Sequence, residues 1–115
     1  MHYAMFIYEP DSERAKGADP ATADAYWGSW VAYSRALSEA GVMVSGNGLQ
    51  AHTAATTLRL RDGGRHVQDG PYADTKEQLG GYYILDVPDL DTALDWAARC
   101  PAAATGVIEL RPTLS

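Results

Sequence analysis

Residues 68–83 (QDGPYADTKEQLGGYY) constrain the fold of this chain more than any other segment. A β-prone run ends at Asp69, and Gly70 followed by Pro71 favours a sharp turn. A short polar segment then leads into a second β-prone run that begins at Gly80. A turn after a strand holds side chains over the edge of a sheet, where binding and catalytic groups are often found. The segment therefore predicts a functional site beside Asp69.

The order of the predicted elements indicates the fold class. In chain order they are a strand at 2–9, a helix from 20 to 40, a strand at 42–49, a hairpin with strands at 56–61 and 65–68, a strand at 82–87, a helix from 89 to 100 and a strand at 106–111. Two helices among mostly antiparallel strands indicate an α+β fold, a ferredoxin-like two-layer sandwich with both helices on one face of the sheet. No linker or repeat divides the chain, so we expect a single domain over residues 1–115.

Both predicted helices have recognisable ends. Asp19 is expected to cap the first helix, Pro20 suits its first turn, and Gly41 ends it. Asp89 or Asp91 is expected to cap the second helix by accepting bonds from its free N–H groups. The inner face of this second helix is predicted to carry Leu90, Ala93, Leu94, Ala97 and Cys100.

A sheet that is covered by helices on one side exposes its other face. In this chain that face is expected to carry bulky apolar and aromatic side chains, and so large an apolar patch is rarely left in water. We therefore expect a homodimer in which a second copy covers the sheet.

Charge and cysteine content exclude several classes of protein. The net charge is −6, the pI is near 4.8 and the nine basic residues are scattered, which argues against a nucleic-acid partner. No apolar run has the length of a membrane helix and no signal peptide is recognised, so we expect no membrane partner. Cys100 is the single cysteine, which excludes an internal disulfide and favours a cytoplasmic location. We interpret it as a buried small hydrophobe.

Asp69 is the leading candidate for acid-base chemistry. In one interpretation Asp69 is a turn residue that forms hydrogen bonds with the backbone of its own loop. In the other it is a general acid or base. The two roles are compatible. His52 lies in the loop after Leu49 and is a candidate to line the same site. His66 lies three residues before Asp69, so the two side chains would point to opposite faces of the strand and we do not expect them to pair directly.

The polar residues after the turn are candidates to bind substrate. Thr75, Lys76 and Glu77 are expected to form one helical turn, in which Lys76 offers a cation for an anionic substrate and Thr75 a hydroxyl. Solvation of a loop is the alternative interpretation of these residues.

Aromatic side chains are candidates to wall a pocket for a planar ligand. They are Tyr8, Trp27, Trp30, Tyr72, Tyr82 and Tyr83. A core or dimer-interface role is the other interpretation. Histidines and carboxylates do not occur at metal-ligand spacing and no phosphate-binding loop is present, so we predict neither a metal nor a cofactor.

Residues 69–82 (DGPYADTKEQLGGY) closely resemble the signature of the YCII-related family, in the branch called DGPF-domain proteins. Tyr72 stands in place of the commoner phenylalanine. The similarity extends over nearly the whole chain, from MFIY at 5–8 to IELRP at 108–112. The resemblance implies a ferredoxin-like dimeric α+β barrel.

The resemblance implies less about function. Some family members resemble small lyases or dehydrochlorinases that use a His and Asp pair, and many of this branch are associated with extracytoplasmic-function sigma factors. Asp69 matches the family aspartate. Trp30 occupies the first-helix position where related proteins often carry a histidine, and Asn47 a strand-end position where glutamate is common.

Two functions stay open. The first is a small-molecule enzyme in which Asp69 transfers a proton while Lys76 or His52 orients an aromatic or anionic substrate. The second is a non-catalytic ligand-binding or regulatory dimer associated with a sigma factor. The predicted ligand-binding residues are His52, Tyr72, Thr75, Lys76, Tyr8, Trp30 and Asn47.

Overall fold

A computed structural model describes residues 1–114 of the chain. In chain order the elements are β1 (His2–Pro10), α1 (Asp11–Arg14), α2 (Ala23–Glu39), β2 (Met43–Gly48), β3 (Thr56–Arg61), β4 (Gly64–Asp69), β5 (Glu77–Asp86), α3 (Leu90–Ala98) and β6 (Val107–Pro112). Short 3-10 turns at Ala15–Gly17 and His52–Ala54 join some of them.

Four strands form an antiparallel sheet in the order β2-β5-β1-β6. Leaving out the inserted β3–β4 hairpin, this is the strand order of a ferredoxin-like sandwich. The hairpin forms a two-stranded sheet of its own. The predicted α+β fold is therefore confirmed.

Strand β1 supplies one side of the core. Its alternate residues Tyr3, Met5 and Ile7 are buried, and they belong to one cluster with Leu37 of α2. Successive side chains of a strand point to opposite faces of a sheet, so Glu9 continues this buried face. The strand thus ends with a carboxylate on the same side of the sheet as the core.

The beginning of α2 differs from the prediction. Asp19 Oδ1 accepts a 2.9 Å bond from the Ala21 N–H, and the Ala23 N–H bonds to the Asp19 carbonyl at 2.8 Å. Asp19 therefore caps a turn, and the helix itself begins at Ala23 rather than at Pro20. The polar connection before it contains α1.

The cap of α3 is confirmed. Asp89 Oδ1 accepts a 2.8 Å bond from the backbone N–H of Thr92, and the Thr92 hydroxyl donates to the same oxygen at 2.7 Å. These bonds favour the charged carboxylate and hold the pKa of Asp89 below its ordinary value.

The inner face of α3 is narrower than predicted. Ala93 and Ala97 are buried, whereas Leu90 and Leu94 are 48% and 50% exposed. The prediction for the two leucines is wrong. Because α3 packs on the sheet through one row of alanines, the leucines lie at the side of this contact and stay half-exposed. Cys100 is buried as expected, and burial raises the pKa of its thiol to about 11.

Strand β5 begins earlier than predicted, and this removes the helical turn expected around Lys76. Glu77 pairs with Pro10, so β5 extends along the whole of β1. The Thr75 hydroxyl donates to the Glu77 carbonyl at 2.5 Å and the Gln78 amide donates to the Thr75 carbonyl at 2.8 Å. Pairing with β1 thus outweighs the local helical preference.

Candidate functional site

A cleft of about 790 Å³ is lined by α2, β2 and β5, with the ends of β1 and α1. Its aromatic lining residues are Tyr26, Trp27, Trp30, Tyr82 and Tyr83. Concave sites of this size with aromatic walls and a few polar groups bind small molecules.

Glu9 is the carboxylate of the cleft. It is only 5% exposed, and its Oε1 accepts a 2.7 Å hydrogen bond from the Tyr26 hydroxyl. Burial raises the pKa of Tyr26, and the hydrogen bond to Glu9 with its negative charge raises it further. Tyr26 therefore stays protonated and acts as a hydrogen-bond donor to Glu9.

Arg14 adds a cation to the same end of the cleft. Its Nη1 donates to the Gly80 carbonyl at 3.1 Å, and its Nη2 donates to the Leu49 carbonyl. A Cβ on Gly80 would lie 2.5 Å from Arg14 Nη1 and 3.6 Å from Glu9 Oε1. The absence of a side chain at Gly80 thus allows the guanidinium and the carboxylate to share this space.

Two polar pairs line another part of the cleft. The Ser34 and Tyr83 hydroxyls lie 2.6 Å apart, and the Asn47 amide donates to the Tyr82 hydroxyl at 3.0 Å. Burial raises the pKa of Tyr83. A Cβ on Gly46 would lie 2.6 Å from Cδ1 of Tyr83, so the ring can approach the strand only because Gly46 is there.

His52 lies beside the cleft. Its Nε2 is 3.1 Å from Asp11 Oδ1, an ion pair when the imidazole is protonated. A small pocket of about 50 Å³ is lined by both residues together with Glu9 and Arg14. Because Glu9 and Arg14 also line the cleft, His52 and Asp11 adjoin the same site.

The predicted site residues fall into separate groups. Trp30 and Asn47 line the cleft, and His52 lines the adjoining pocket. Of the other predicted aromatic residues, Trp27, Tyr82 and Tyr83 also line the cleft. Tyr8 does not line the cleft. It alternates with buried Glu9 and lies on the sheet face away from the helices.

The residues around the family motif lie elsewhere. Asp69 is exposed at the end of β4, and Thr75 and Lys76 are exposed in the following loop. Tyr72 is 75% exposed, and the Arg59 guanidinium lies over its ring at 5.2 Å. Within residues 1–114 these side chains line neither cavity described here. Their roles in binding or catalysis stay predictions.

Glu9, Arg14 and Tyr26 were not predicted as site residues. A signal for Glu9 was present, because period two places it on the same strand face as Met5 and Ile7. A carboxylate in phase with buried apolar residues indicates an internal polar site. Arg14 carries no comparable signal, since its contacts depend on the pairing of distant strands.

Among residues 1–114, no three His, Cys, Asp or Glu side chains are grouped so that they could hold a metal ion. None of the helices in this range has both the length and the apolar character that a membrane span needs.

Comparisons with known proteins identify the family. An uncharacterized protein of Rhizobium meliloti (strain 1021), R00369, is 46% identical over 83 residues, which cover 70% of this chain and 67% of that protein. The structure of 5-chloro-2-hydroxyhydroquinone dehydrochlorinase (TftG) from Burkholderia phenoliruptrix AC1100, in complex with 2,5-dihydroxybenzoquinone, matches with a TM-score of 0.48 and 14% identity. The match covers 100% of this chain and 96% of that one. The YCII-related domain matches residues 1–114, which confirms the predicted resemblance. This chain therefore belongs to the YCII-related family.

Proposed function

We propose that this protein is a small-molecule enzyme that binds a planar ligand in the cleft and acts by proton transfer. The observation that carries the proposal is the buried carboxylate of Glu9, held by the Tyr26 hydroxyl in a cleft with aromatic walls. Carboxylates are rarely buried without a structural or chemical reason. A carboxylate in such a site is suited to take a proton from a bound substrate or to return one.

The reaction class that we infer is a lyase-type or dehydrochlorinase-like elimination. Glu9 takes a proton from a substrate carbon, the C–H electron pair forms the new double bond, and chloride or another anion leaves with its bonding pair. Arg14 lines the same end of the cleft and offers a positive charge to the departing anion. The Tyr26 hydrogen bond orients the Glu9 carboxylate.

Asp69 remains a second proposed proton-transfer residue. It matches the family aspartate, but it lies at the end of the hairpin and outside the cleft of its own chain. Substitutions of Glu9 and Asp69 can therefore assign the proton-transfer role separately.

Ligand binding is tested first by tryptophan fluorescence. Trp27 and Trp30 line the cleft, whereas Trp96 does not, so a panel of hydroxylated and carboxylated aromatic compounds is expected to quench the first two. Trp30→Leu should weaken the quenching, and Trp96→Phe is the matched control. The cleft is not the ligand site if no compound quenches or if Trp30→Leu leaves the affinity unchanged.

Turnover is then measured with the compounds that bind. Glu9→Gln is expected to lower kcat by about 10²–10⁴-fold, the usual contribution of a general acid or base. Asp69→Asn is measured in parallel, and Asp91→Asn, an exposed carboxylate on α3, is the control. Full activity of Glu9→Gln would reject Glu9 as the proton-transfer group, and full activity of Asp69→Asn would reject Asp69.

A homodimer is part of the proposal. Phe6, Tyr8 and Ile84 lie on the sheet face away from the helices and are only partly buried. A second copy would remove this apolar face from water. Light scattering is expected to give twice the chain mass of 12.4 kDa, and the monomer mass at micromolar concentration would contradict the dimer.

The alternative is a ligand-binding or regulatory dimer that works with a sigma factor in the cytoplasm. The observation that allows it is the aromatic lining of the cleft, which can bind a ligand whether or not Glu9 transfers a proton. Ligands recovered unchanged after long incubation, together with capture of a sigma factor, would favour this alternative. Measurable turnover with no such capture would reject it.

A further inference from the structure

The β3–β4 hairpin stands apart from the rest of the molecule. Its strands pair with each other and pack little against the four-stranded sheet or the helices. The Cα radius of gyration is 15.9 Å, whereas a compact chain of this length has about 13 Å. A two-stranded hairpin alone is only marginally stable in water. The hairpin therefore needs a surface to cover it.

One face of the hairpin is apolar and exposed. Leu58 and Val67 lie directly opposite each other in the register, and Leu60 follows on the same face. These three side chains are 51%, 60% and 65% exposed. We call this surface, formed by Leu58, Leu60 and Val67, the apolar hairpin face.

On the opposite face of the hairpin, polar side chains form hydrogen bonds within their own chain. The Thr57 hydroxyl donates to the Gly70 carbonyl at 2.8 Å, and Arg59 donates to the Gln68 side chain at 3.4 Å. The Arg59 guanidinium also lies over the Tyr72 ring. The apolar hairpin face is thus the side that lacks a cover.

Charge favours a second copy of this chain as the cover. The chain has 9 basic and 15 acidic residues; the hairpin holds three of the basic ones (Arg59, Arg61 and Arg65) and two of the acidic ones (Asp62 and Asp69), which leaves 6 and 13 elsewhere. At long range, the weakly positive hairpin is therefore attracted to the negative remainder of another copy as a whole.

Exposed apolar side chains line the cleft. Trp27, Val31 and Leu49 are 48%, 58% and 36% exposed and all line it. We propose that the apolar hairpin face of one copy docks over the cleft of a second copy. This contact differs from the proposed pairing of the sheets, because it uses different residues on both sides.

Docking would bring Asp69 to the partner's cleft. Asp69 pairs with Thr56, two residues before Leu58, and so lies on the same side of the hairpin as Leu58 and Val67. The covering hairpin would also exclude water from the cleft. The docking itself needs no ligand. Only the role that Asp69 would have in the partner's cleft rests on the proposed function.

The docking is tested by cross-linking two chains that each carry one new cysteine. Leu60→Cys protein is mixed with Val31→Cys protein and treated with a short bis-maleimide. Cys100 is buried, so the introduced thiols are the reactive ones. We expect a covalent dimer that contains one chain of each kind. Leu94→Cys, on α3 and as exposed as the hairpin face, replaces Val31→Cys as the control and is expected to give little product.

A second set of variants tests the hairpin surface itself. Leu58→Ser with Val67→Ser in the Leu60→Cys chain is expected to reduce the product by about ten-fold, because the buried apolar area is lost. His66→Ser with Gln68→Ser changes the opposite face and should leave the product unchanged. Circular dichroism verifies that each variant is folded.

Two results would overturn the docking. One is a yield of cross-linked dimer with Val31→Cys that is no higher than the yield with Leu94→Cys. The other is a yield with Val31→Cys that the Leu58→Ser and Val67→Ser substitutions do not reduce. Fluorescence quenching by ligands is measured separately on the wild-type protein. Quenching without the cross-link would reject the docking alone, and the cross-link without quenching would reject the proposed ligand site alone.

Discussion

The Tyr26 hydroxyl lies 2.7 Å from Oε1 of Glu9 and donates a hydrogen bond to it. The bond joins the end of β1 to the first turn of α2. Both segments lie where the buried core borders the cleft. Because Glu9 is buried, the loss of this bond would leave a carboxylate with few other partners. The same contact thus stabilises the fold and positions the candidate catalytic group.

Replacement of Glu9 by Gln is expected to lower the pKa of Tyr26. The carboxylate favours the protonated phenol through its hydrogen bond and its charge, and both effects weaken when it becomes a neutral amide. Burial, the larger cause, remains, so the pKa should stay above its ordinary value. Absorbance titration of tyrosinate measures the change, with Asp91→Asn as the control. Identical titrations of wild type and Glu9→Gln would contradict the contact.

Replacement of Gly80 by Ala is expected to disturb the cleft more than the fold. The new methyl group would lie 2.5 Å from Arg14 Nη1, and the flexible arginine can move away, so we expect a loss of only about 1 kcal/mol of unfolding free energy. Anionic ligands should then bind less tightly, while neutral ones change less. Gly28→Ala, with nothing within 4 Å of its new Cβ and outside the cleft lining, is the control. Equal affinity for anions in Gly80→Ala and wild type would contradict a role of Arg14 in binding.

Replacement of Leu37 by Ala tests the core. Leu37 is completely buried, so the cavity should cost about 2–5 kcal/mol of unfolding free energy. Leu94→Ala removes the same atoms from a half-exposed position and should change stability by about 0.5 kcal/mol or less. Urea unfolding measures both. Similar losses in the two variants would mean that α3 packs on the sheet through its leucines.

The Asp89 cap makes stability depend on pH. Its folded-state pKa is depressed, so the contribution is present above the unfolded pKa and is lost as the pH falls through the folded value. The stability difference between wild type and Asp89→Ala should therefore shrink below about pH 4. Thermal unfolding at several pH values measures this difference, and Asp91→Ala is the control in the first turn. A difference that grows on acidification would contradict the cap.

Local patterns predicted the hairpin and the α3 cap correctly. The alternating residues 56–61 form β3, and Asp62 and Gly63 adopt left-handed φ values of 53° and 74° in the turn. Asp89 caps the helix that follows β5. These features depend on residues that are close in sequence, where periodicity and turn preference act directly.

The composition of the cleft was only partly predictable. The helical spacing of Trp27 and Trp30 marked one wall, and both residues line the cleft. The family motif indicated Asp69, which lies outside the cleft of its own chain. A sequence signature identifies a family without stating which of its residues face one another.

The sequence by itself determined the strands and hairpin, the approximate extents of the helices, the ferredoxin-like order and the family. Only the tertiary structure decided which charged groups meet in the cleft. Glu9, Tyr26 and Gly80 come from distant parts of the chain and converge because β1 pairs with β5 while α2 packs over them. Such contacts depend on long-range strand pairing and side-chain packing, for which local periodicity carries no information.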